Sequence, residues 1–379
     1  MSGAPHLACE RERDTVTPQA RRWSWKIVEV ADIGVYVHAT FALLLLWIAF
    51  SFWSERQSVR FVLSGLAFVV ALFACVTLHE FGHALTAKRF GIRTRDITLL
   101  PIGGIARAER IPKDPKQELA IALAGPVVTL LVAATLFLWL LVTNSWEPFA
   151  RITVTAGPFI ERLMFVNLAL AAFNMLPAFP MDGGRVLRAL LALRMPYPRA
   201  TAIAARLGQT VAFVFAMVGL FGNPVLILIG LFVWFGAAQE SGSAQLEAAL
   251  AGIPVRHLMQ TEFRTLSPTD SLTRAAGLLL RGTQPHFPVV DGDRVVGLLT
   301  KSDLIAGLSR HGEEAPVADA MRHGVVSVDV SETLDRALQR LREAPGGVAL
   351  VTDQGHLVGL LSPNSLADFV RLQAARRRG

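Results

Sequence analysis

Apolar residues gather in six long runs between residues 35 and 239, and polar residues fill the stretches between them. A helix needs about 20 apolar residues to cross the hydrocarbon core of a bilayer. The runs cover residues 35–53, 61–88, 119–142, 159–177, 204–221 and 223–239. They predict a polytopic α-helical membrane protein with about six transmembrane helices, in which Asn223-Pro224 forms a tight turn between the last two.

The pattern changes after about residue 240, where short β-like runs alternate with amphipathic helical runs and the sequence repeats. "VRHLMQ" at 255 is matched by "VADAMR" at 317, and "VVGLLTKSDL" at 295 is matched by "LVGLLSPNSL" at 357, both at an offset of 62 residues. Each copy predicts strand, helix, strand, turn, strand and helix; in the first copy the opening strand is expected at 264–266. A soluble pair of α/β modules therefore follows the membrane region.

Composition and charge agree with this division. Of the 379 residues 52% are hydrophobic and 18% are charged, against about 25% charged in soluble domains. The net charge of +7 arises from arginine-rich stretches near the N-terminus, at 89–117 and at 178–200. In a membrane protein such stretches mark cytoplasmic loops rather than nucleic-acid binding. The positive-inside rule then places both termini in the cytoplasm, and six spans have the parity that this requires.

These shifts predict five segments along the chain. They are a cytosolic N-terminal segment at 1–30, a membrane domain at 31–240, a linker at 241–254, and the two repeat modules at 255–310 and 317–372. The basic loops, together with a charged N-terminus that lacks the apolar core of a signal peptide, favour an integral protein of a prokaryotic plasma membrane.

The second apolar run contains the stretch "VTLHEFGHAL", in which His79, Glu80 and His83 interrupt a span. Ionisable groups inside a membrane are costly and are functional by default. The two histidines lie four residues apart on one helix face, a spacing that can bind one zinc ion, and Glu80 can act on the metal-bound water. The alternative is a pair of buried histidines with satisfied hydrogen bonds.

A catalytic zinc site needs a third protein ligand and an open position for water. The candidate is Asp182 in "NMLPAFPMDGGRVLRAL", where Pro177, Pro180 and the glycine pair 183–184 would interrupt a helix close to the membrane. The alternative for Asp182 is an N-cap of the helix that follows, a position that aspartate favours.

The combination of "HEFGHAL" and "NMLPAFPMDGGR" resembles the site-2 protease family of intramembrane zinc metalloproteases, and "LPIGGIAR" and "LAGP" resemble further stretches of that family. The resemblance implies an enzyme that cleaves transmembrane segments of membrane proteins already trimmed by another protease. Anti-sigma factors and membrane-tethered transcription factors are the substrates it suggests. It also implies zinc held by His79, His83 and Asp182, with Glu80 as acid/base and Asn174 binding the substrate backbone or the oxyanion.

The tandem repeat resembles a pair of CBS modules, which sense adenine nucleotides such as AMP or ATP in the cytosol. In that family a Thr/Ser-x-x-Asp stretch holds the ribose, and Thr300 and Asp303 match it. The second copy has Ser362, but Ser365 stands where the acid belongs, so at most one nucleotide site is expected. The alternative is a structural pair that promotes homodimerisation.

Two other function classes stay open at this stage. One is a nucleotide-regulated transporter or channel, since CBS pairs also occur on those proteins. It has no need of Glu80 beside two helical histidines. The other is an inactive scaffold that sequesters membrane proteins, and the intact set of His79, Glu80, His83 and Asp182 argues against it.

Overall fold

The computed structural model describes residues 23–101, 103–108, 112, 114–143 and 158–376. The chain divides into two compact units, one formed by Pro18–Gln245 and the other containing Leu246–Gly379. Each is described below by itself.

The first unit is built mainly from helices. In the described residues they are α1 (Ala39–Arg56), α2 (Val59–Arg89), α3 (Pro115–Val142), α4 (Phe159–Asn174), α5 (Asp182–Ala192), α6 (Tyr197–Phe221) and α7 (Val225–Leu250). Within the described part of the chain, four of them are long and apolar enough to cross a membrane, namely α2, α3, α6 and α7. The predicted count of about six spans is therefore not confirmed. Helix α4 has only 16 residues, and the first apolar run begins in a strand, so its helix starts four residues later than predicted.

Large apolar side chains project outward from these helices. Phe50 is 70% exposed, Leu228 67% and Phe221 89%. Apolar surface on this scale is unfavourable in water and is accommodated by lipid. The apolar helices indicate an integral membrane protein.

A four-stranded sheet packs beside α2. Its strands are β1 (Ser24–Val30), β2 (Ile33–His38), β3 (Thr94–Leu100) and β4 (Gly103–Ala108). They lie in the order β1-β2-β3-β4; the β2–β3 pair is parallel and the other two are antiparallel. Ile33, Val35, Ile97 and Leu99 are buried against Ala84 of α2. The sheet thus holds the half of α2 that carries the histidines, and β4 forms one of its edges.

Helix α3 has a well-defined start. Asp114 is its N-cap and accepts a hydrogen bond from the backbone N–H of Lys116 at 2.9 Å, and Pro115 occupies the first turn. An aspartate cap and a proline at this position both favour helix initiation. The start matters because α3 packs along α2 beside the histidines.

The second unit contains the repeat. Its elements are α8 (Leu272–Arg281), β5 (His286–Asp291), β6 (Arg294–Thr300), α9 (Lys301–His311), β7 (Ser327–Asp329), α10 (Leu334–Glu343), β8 (Ala349–Asp353), β9 (His356–Leu361) and α11 (Pro363–Arg376). Two apolar cores form, one around Leu272 and one around Leu334, and each takes in the opening residues of the other copy: Val317 packs in the first core, and Val255 and Leu258 pack in the second.

The predicted order of elements holds in both copies, with one exception. The strand expected at 264–266 is reduced to a single bridge between Leu266 and Val289, whereas β7 fills the equivalent place in the second copy. The two copies also form backbone bridges with each other. Arg322 of the second copy pairs with Leu298 of the first, and Gln260, which is the counterpart of Arg322 in the first copy, pairs with Leu360 of the second. The two modules are therefore joined by equivalent backbone pairs.

Candidate metal centre

Helix α2 presents its two histidines on one face. Their rings stand nearly perpendicular at a centroid distance of 4.7 Å, and their Nε2 atoms are 3.1 Å apart. Both side chains are buried. The spacing of four residues places the second imidazole one turn beyond the first, so the two Nε2 atoms face the same point.

Asp182 reaches that point from α5. Its Oδ2 atom lies 3.1 Å from Nε2 of His79 and 3.1 Å from Nε2 of His83. The alternative interpretation of Asp182 as an N-cap is wrong, because Met181 holds the cap position and Asp182 is the first residue of the helix. The carboxylate is thus directed at the histidines from an unrelated part of the chain.

The glycine pair after Asp182 allows the preceding loop to fold closely against α5. A Cβ atom on Gly183 would lie 2.3 Å from the carbonyl oxygen of Leu176, and one on Gly184 would lie 2.7 Å from the carbonyl carbon of Ala178. Real Cβ atoms do not approach so closely. The two glycines therefore fix where α5 begins, and with it the position of Asp182.

The donor set fits a zinc ion. Two imidazole nitrogens and one carboxylate oxygen converge within 4.8 Å of one another, which is the three-ligand set of a catalytic zinc with one position left for water. Both Nδ1 atoms are engaged on the far side, by Thr129 and by the Ile121 carbonyl, so both Nε2 atoms face the site. Gly125 of α3 leaves the space that the imidazole rings need, because a Cβ at this position would lie 2.2 Å from Nε2 of His83.

A cavity of about 860 Å³ opens beside these groups. Glu80, Asn174 and Gly104 line it together with the three candidate ligands. Glu80 is partly exposed to the cavity, and a Cβ on Gly104 would lie 2.8 Å from the Glu80 Cγ atom. Asn174 is the last residue of α4. The five residues that the sequence singled out in the membrane domain thus line one cavity.

The two remaining candidate residues, Thr300 and Asp303, belong to the second unit and form a different site. Thr300 is buried at the start of α9, and its hydroxyl donates to the Asp303 carboxylate at 2.5 Å. Arg322 then occupies both oxygens of that carboxylate, with Nε donating to Oδ2 at 2.6 Å and Nη2 donating to Oδ1 at 2.8 Å. In the second copy the Ser362 and Ser365 hydroxyls lie 3.1 Å apart.

The ion pair shifts the acidity of Asp303. Burial alone would raise its pKa, but the hydrogen bonds from Arg322 and Thr300 and the positive charge of Arg322 outweigh it and hold the pKa below the ordinary value. Asp303 is therefore a carboxylate at neutral pH. The stabilisation it provides is complete above the ordinary aspartate pKa and is lost as the pH falls through the lowered value.

Sequence reasoning missed a buried ion-pair cluster next to the metal centre. Arg188 was counted among loop charges, yet its side chain is 2% exposed. Its Nε donates to Glu118 of α3 at 2.7 Å, and Nη1 donates to Glu240 of α7. Removing one partner of such a buried pair costs about 3–5 kcal/mol. The cluster fastens α5, which carries Asp182, to the helix that supports the histidines.

Sequence reasoning also missed the functions of Thr129 and Gly125, although both residues carried a signal in the sequence. Thr129 is a polar residue inside an apolar run, and Gly125 stands in the "LAGP" stretch. Arg188 carried no such signal, because it is one of several arginines in the stretch 178–200. None of the three revealed its partner, because each partner lies on another helix.

Comparison with known proteins gives a consistent result. The model of "Peptidase family M50" matches residues 67–156 and 146–217, and the CBS domain model matches 255–310 and 317–371. Zinc metalloprotease MJ0392 of Methanocaldococcus jannaschii is 33% identical over 346 residues, which is 91% of this chain and 95% of that protein. The solved site-2 protease from the same organism is 38% identical and aligns with a TM-score of 0.43 over 58% of this chain and 95% of that one. The chain therefore belongs to peptidase family M50, the site-2 zinc metalloproteases, and carries a tandem pair of CBS domains.

Proposed function

We propose that this metalloprotease hydrolyses peptide bonds within or near the transmembrane segments of other membrane proteins. The observation that carries the proposal is the convergence of His79, His83 and Asp182 beside a carboxylate-lined cavity. Their helices α2 and α5 belong to the membrane unit, and α2 is itself long and apolar enough to span a bilayer. Burying three ionisable groups there is expensive unless they act together.

The proposed roles follow from the chemistry of each group. His79, His83 and Asp182 would hold zinc, which when bound polarises a carbonyl and makes water a stronger nucleophile. Glu80 takes the proton from the attacking water and delivers it to the leaving amine. Asn174, which lies at the end of α4 and lines the same cavity, donates its side-chain amide to the substrate backbone or to the developing oxyanion.

The experiment that tests this function pairs metal content with cleavage. The full chain is purified in detergent, its zinc is assayed, and it is incubated with a panel of single-span membrane proteins. We expect about one zinc per chain and cleavage that stops when zinc is removed and returns when it is restored. A protein that holds no zinc and cuts nothing would contradict the proposal and favour a CBS-regulated transporter.

A helical substrate must unwind before it can be cut, because its carbonyls are engaged in hydrogen bonds. Strand β4 supports a means of holding the unwound stretch. It is an edge strand, and its Gly104 lies against Glu80. We propose that the substrate adds to this edge as a further strand, which brings its backbone to the carboxylate.

Backbone methylation of the substrate tests the strand addition. A paired strand uses the N–H groups of alternate residues, so N-methyl groups placed one by one beside the scissile bond should slow cleavage at every second position. The loss of one hydrogen bond predicts a fall of about 2- to 10-fold at each sensitive position. The intervening positions serve as the control. Equal effects at consecutive positions would rule out a paired strand.

For partners we propose a membrane protein already trimmed by another protease, such as an anti-sigma factor or a membrane-tethered transcription factor. The location would be a prokaryotic plasma membrane with both termini in the cytoplasm, which the basic stretches between the apolar runs support. The enzyme would act without touching nucleic acid itself.

CBS modules commonly dimerise, and the pair favours a homodimer as the assembly.

We further propose that the CBS pair binds one adenine nucleotide, AMP or ATP, at Thr300 and Asp303. The ribose hydroxyls need the Asp303 carboxylate, but Arg322 holds both of its oxygens. A ligand must therefore displace Arg322, and a phosphate offers that guanidinium a new anionic partner whereas neutral adenosine does not. At the equivalent place in the second copy, Gln260 and Ser365 replace the ion pair.

Replacing Arg322 tests this site. In Arg322→Gln we expect adenosine to bind more tightly and the preference for AMP over adenosine to fall about 10-fold, since a hydrogen bond to a charged group contributes about 1.5–3 kcal/mol. Titration calorimetry of the full chain measures both ligands. Arg340→Gln, which breaks the pair with Glu332, is the matched control. An unchanged preference would contradict the role of Arg322, and no binding to wild type at millimolar ligand would favour a purely structural pair.

A further inference from the structure

Thr129 is a hydroxyl residue in the apolar helix α3, and it is 4% exposed. Its Oγ1 lies between two partners, 2.8 Å from Nδ1 of His79 and 3.3 Å from the carbonyl oxygen of Gly125. A threonine in a helix often bonds back to the carbonyl four residues earlier. The contact with His79, which lies on another helix, needs a separate explanation.

The arrangement on His83 indicates which nitrogen carries the proton. Its Nδ1 lies 2.7 Å from the carbonyl oxygen of Ile121. A carbonyl oxygen only accepts, so Nδ1 of His83 carries a proton, and in the neutral imidazole that binds a metal Nε2 then keeps its lone pair. The hydroxyl of Thr129 has a single proton, which it donates to the Gly125 carbonyl. Its oxygen then accepts from Nδ1–H of His79, so His79 has the same Nδ1–H tautomer as His83.

The two helices match each other in spacing. His79 and His83 are four residues apart on α2, and their partners on α3, Thr129 and Ile121, are eight residues apart with Gly125 midway. These three positions of α3 share one face, because a four-residue step advances a helix by about one turn. One face of α3 thus provides a hydroxyl, a gap without a side chain and a carbonyl opposite the two imidazoles.

We propose that Thr129 is a positioning residue for the metal centre: it fixes the Nδ1–H tautomer and the ring orientation of His79, so that Nε2 is presented to zinc. The inference rests on the proposed zinc site. A histidine ligand whose second nitrogen is hydrogen-bonded binds metal more tightly, and loss of that partner typically lowers metal affinity 10- to 100-fold. The Ile121 carbonyl performs the same task for His83, but it belongs to the backbone and cannot be removed by substitution.

The test compares variants that differ by one oxygen atom. Thr129→Ser keeps the hydroxyl and Thr129→Ala removes it, while both lose the methyl group; Thr129→Val keeps the shape and removes the hydroxyl. Zinc affinity of the full-length protein is measured by competition with a chromophoric chelator, and the visible spectrum of Co²⁺-loaded protein reports the ligand geometry. We expect the serine variant to bind zinc like wild type, and the alanine and valine variants to bind 10- to 100-fold more weakly with an altered Co²⁺ spectrum.

Thr135→Val is the matched control. Thr135 lies on the same helix and makes the same back-bond, to the Leu131 carbonyl at 2.8 Å, but it is exposed. The Thr135→Val substitution should therefore leave the zinc affinity unchanged.

Three outcomes would overturn the inference. They are wild-type zinc affinity in the alanine or valine variant, a loss in the serine variant as large as in the alanine variant, and a loss in Thr135→Val as large as in Thr129→Val. Each would assign Thr129 to packing rather than positioning. A wild-type chain without zinc would instead mean failure of the proposed function, so the two failures are distinguishable.

Discussion

Glu80→Gln is expected to abolish cleavage while leaving the zinc in place. The amide has nearly the shape of the carboxylate but cannot accept the water proton, and loss of a general acid/base typically slows catalysis 10²- to 10⁴-fold. The candidate ligands His79, His83 and Asp182 do not include Glu80, so about one zinc per chain should remain. Metal analysis and cleavage of a single-span substrate are measured on the same preparation.

Glu55→Gln provides the control for this experiment. Glu55 is exposed near the end of α1, so the same change of charge occurs in the same unit away from the cavity. The Glu55→Gln variant should cleave the substrate at the wild-type rate. If Glu80→Gln retained full activity, another group would have to move the proton, and the assignment of Glu80 would be wrong.

Gly125→Ala is expected to remove zinc binding, and cleavage with it. The added Cβ would lie 2.2 Å from Nε2 of His83 and 2.7 Å from Nε2 of His79, which is closer than real Cβ contacts allow. Both imidazoles would have to turn away from the point where their nitrogens meet. Zinc content after gel filtration measures the effect directly. Comparison of the variant with zinc-free wild type at the same pH shows whether the substitution itself has changed the folding.

The matched substitution is Gly242→Ala in α7, where a Cβ would meet nothing within 4 Å. Alanine is a better helix former than glycine by about 1 kcal/mol, so this variant should keep its zinc and unfold at the same or a slightly higher temperature. A Gly125→Ala protein that still held one zinc per chain would show that the histidines have more freedom than the packing of α3 against α2 indicates.

The buried cluster around Arg188 explains how distant parts of the chain can form one metal centre. Asp182 is carried by α5, whereas the partners of both histidines are carried by α3. Arg188 bonds Glu118 of α3 and Glu240 of α7, and its guanidinium also lies 4.9 Å from the centre of the Phe179 ring. A buried cation with two acidic partners and an aromatic ring holds the helices in one arrangement.

The sequence alone determined the features that depend on short spacing or on composition. Apolar runs predicted membrane helices, the 62-residue offset revealed the repeated module, and the four-residue step from His79 to His83 predicted a shared helix face. These conclusions need only the geometry of a single helix and the cost of placing charge in lipid. The count of six spans is not confirmed, because four helices in the described part of the chain are long and apolar enough to cross a membrane, and the length of a run does not reveal where a strand ends and a helix begins.

Only the tertiary structure decided which residues meet across helices. Asp182 had two interpretations in the sequence, an N-cap and a ligand, and it is the packing of α5 that turns its carboxylate toward the histidines. The sequence marked Gly125 by its "LAGP" stretch and Thr129 as a polar residue in an apolar run, but it did not reveal the functions of these residues or of Arg322, since each depends on a partner from another element. Such contacts arise when apolar faces pack together, and the side chains that this brings into contact are not specified by local spacing.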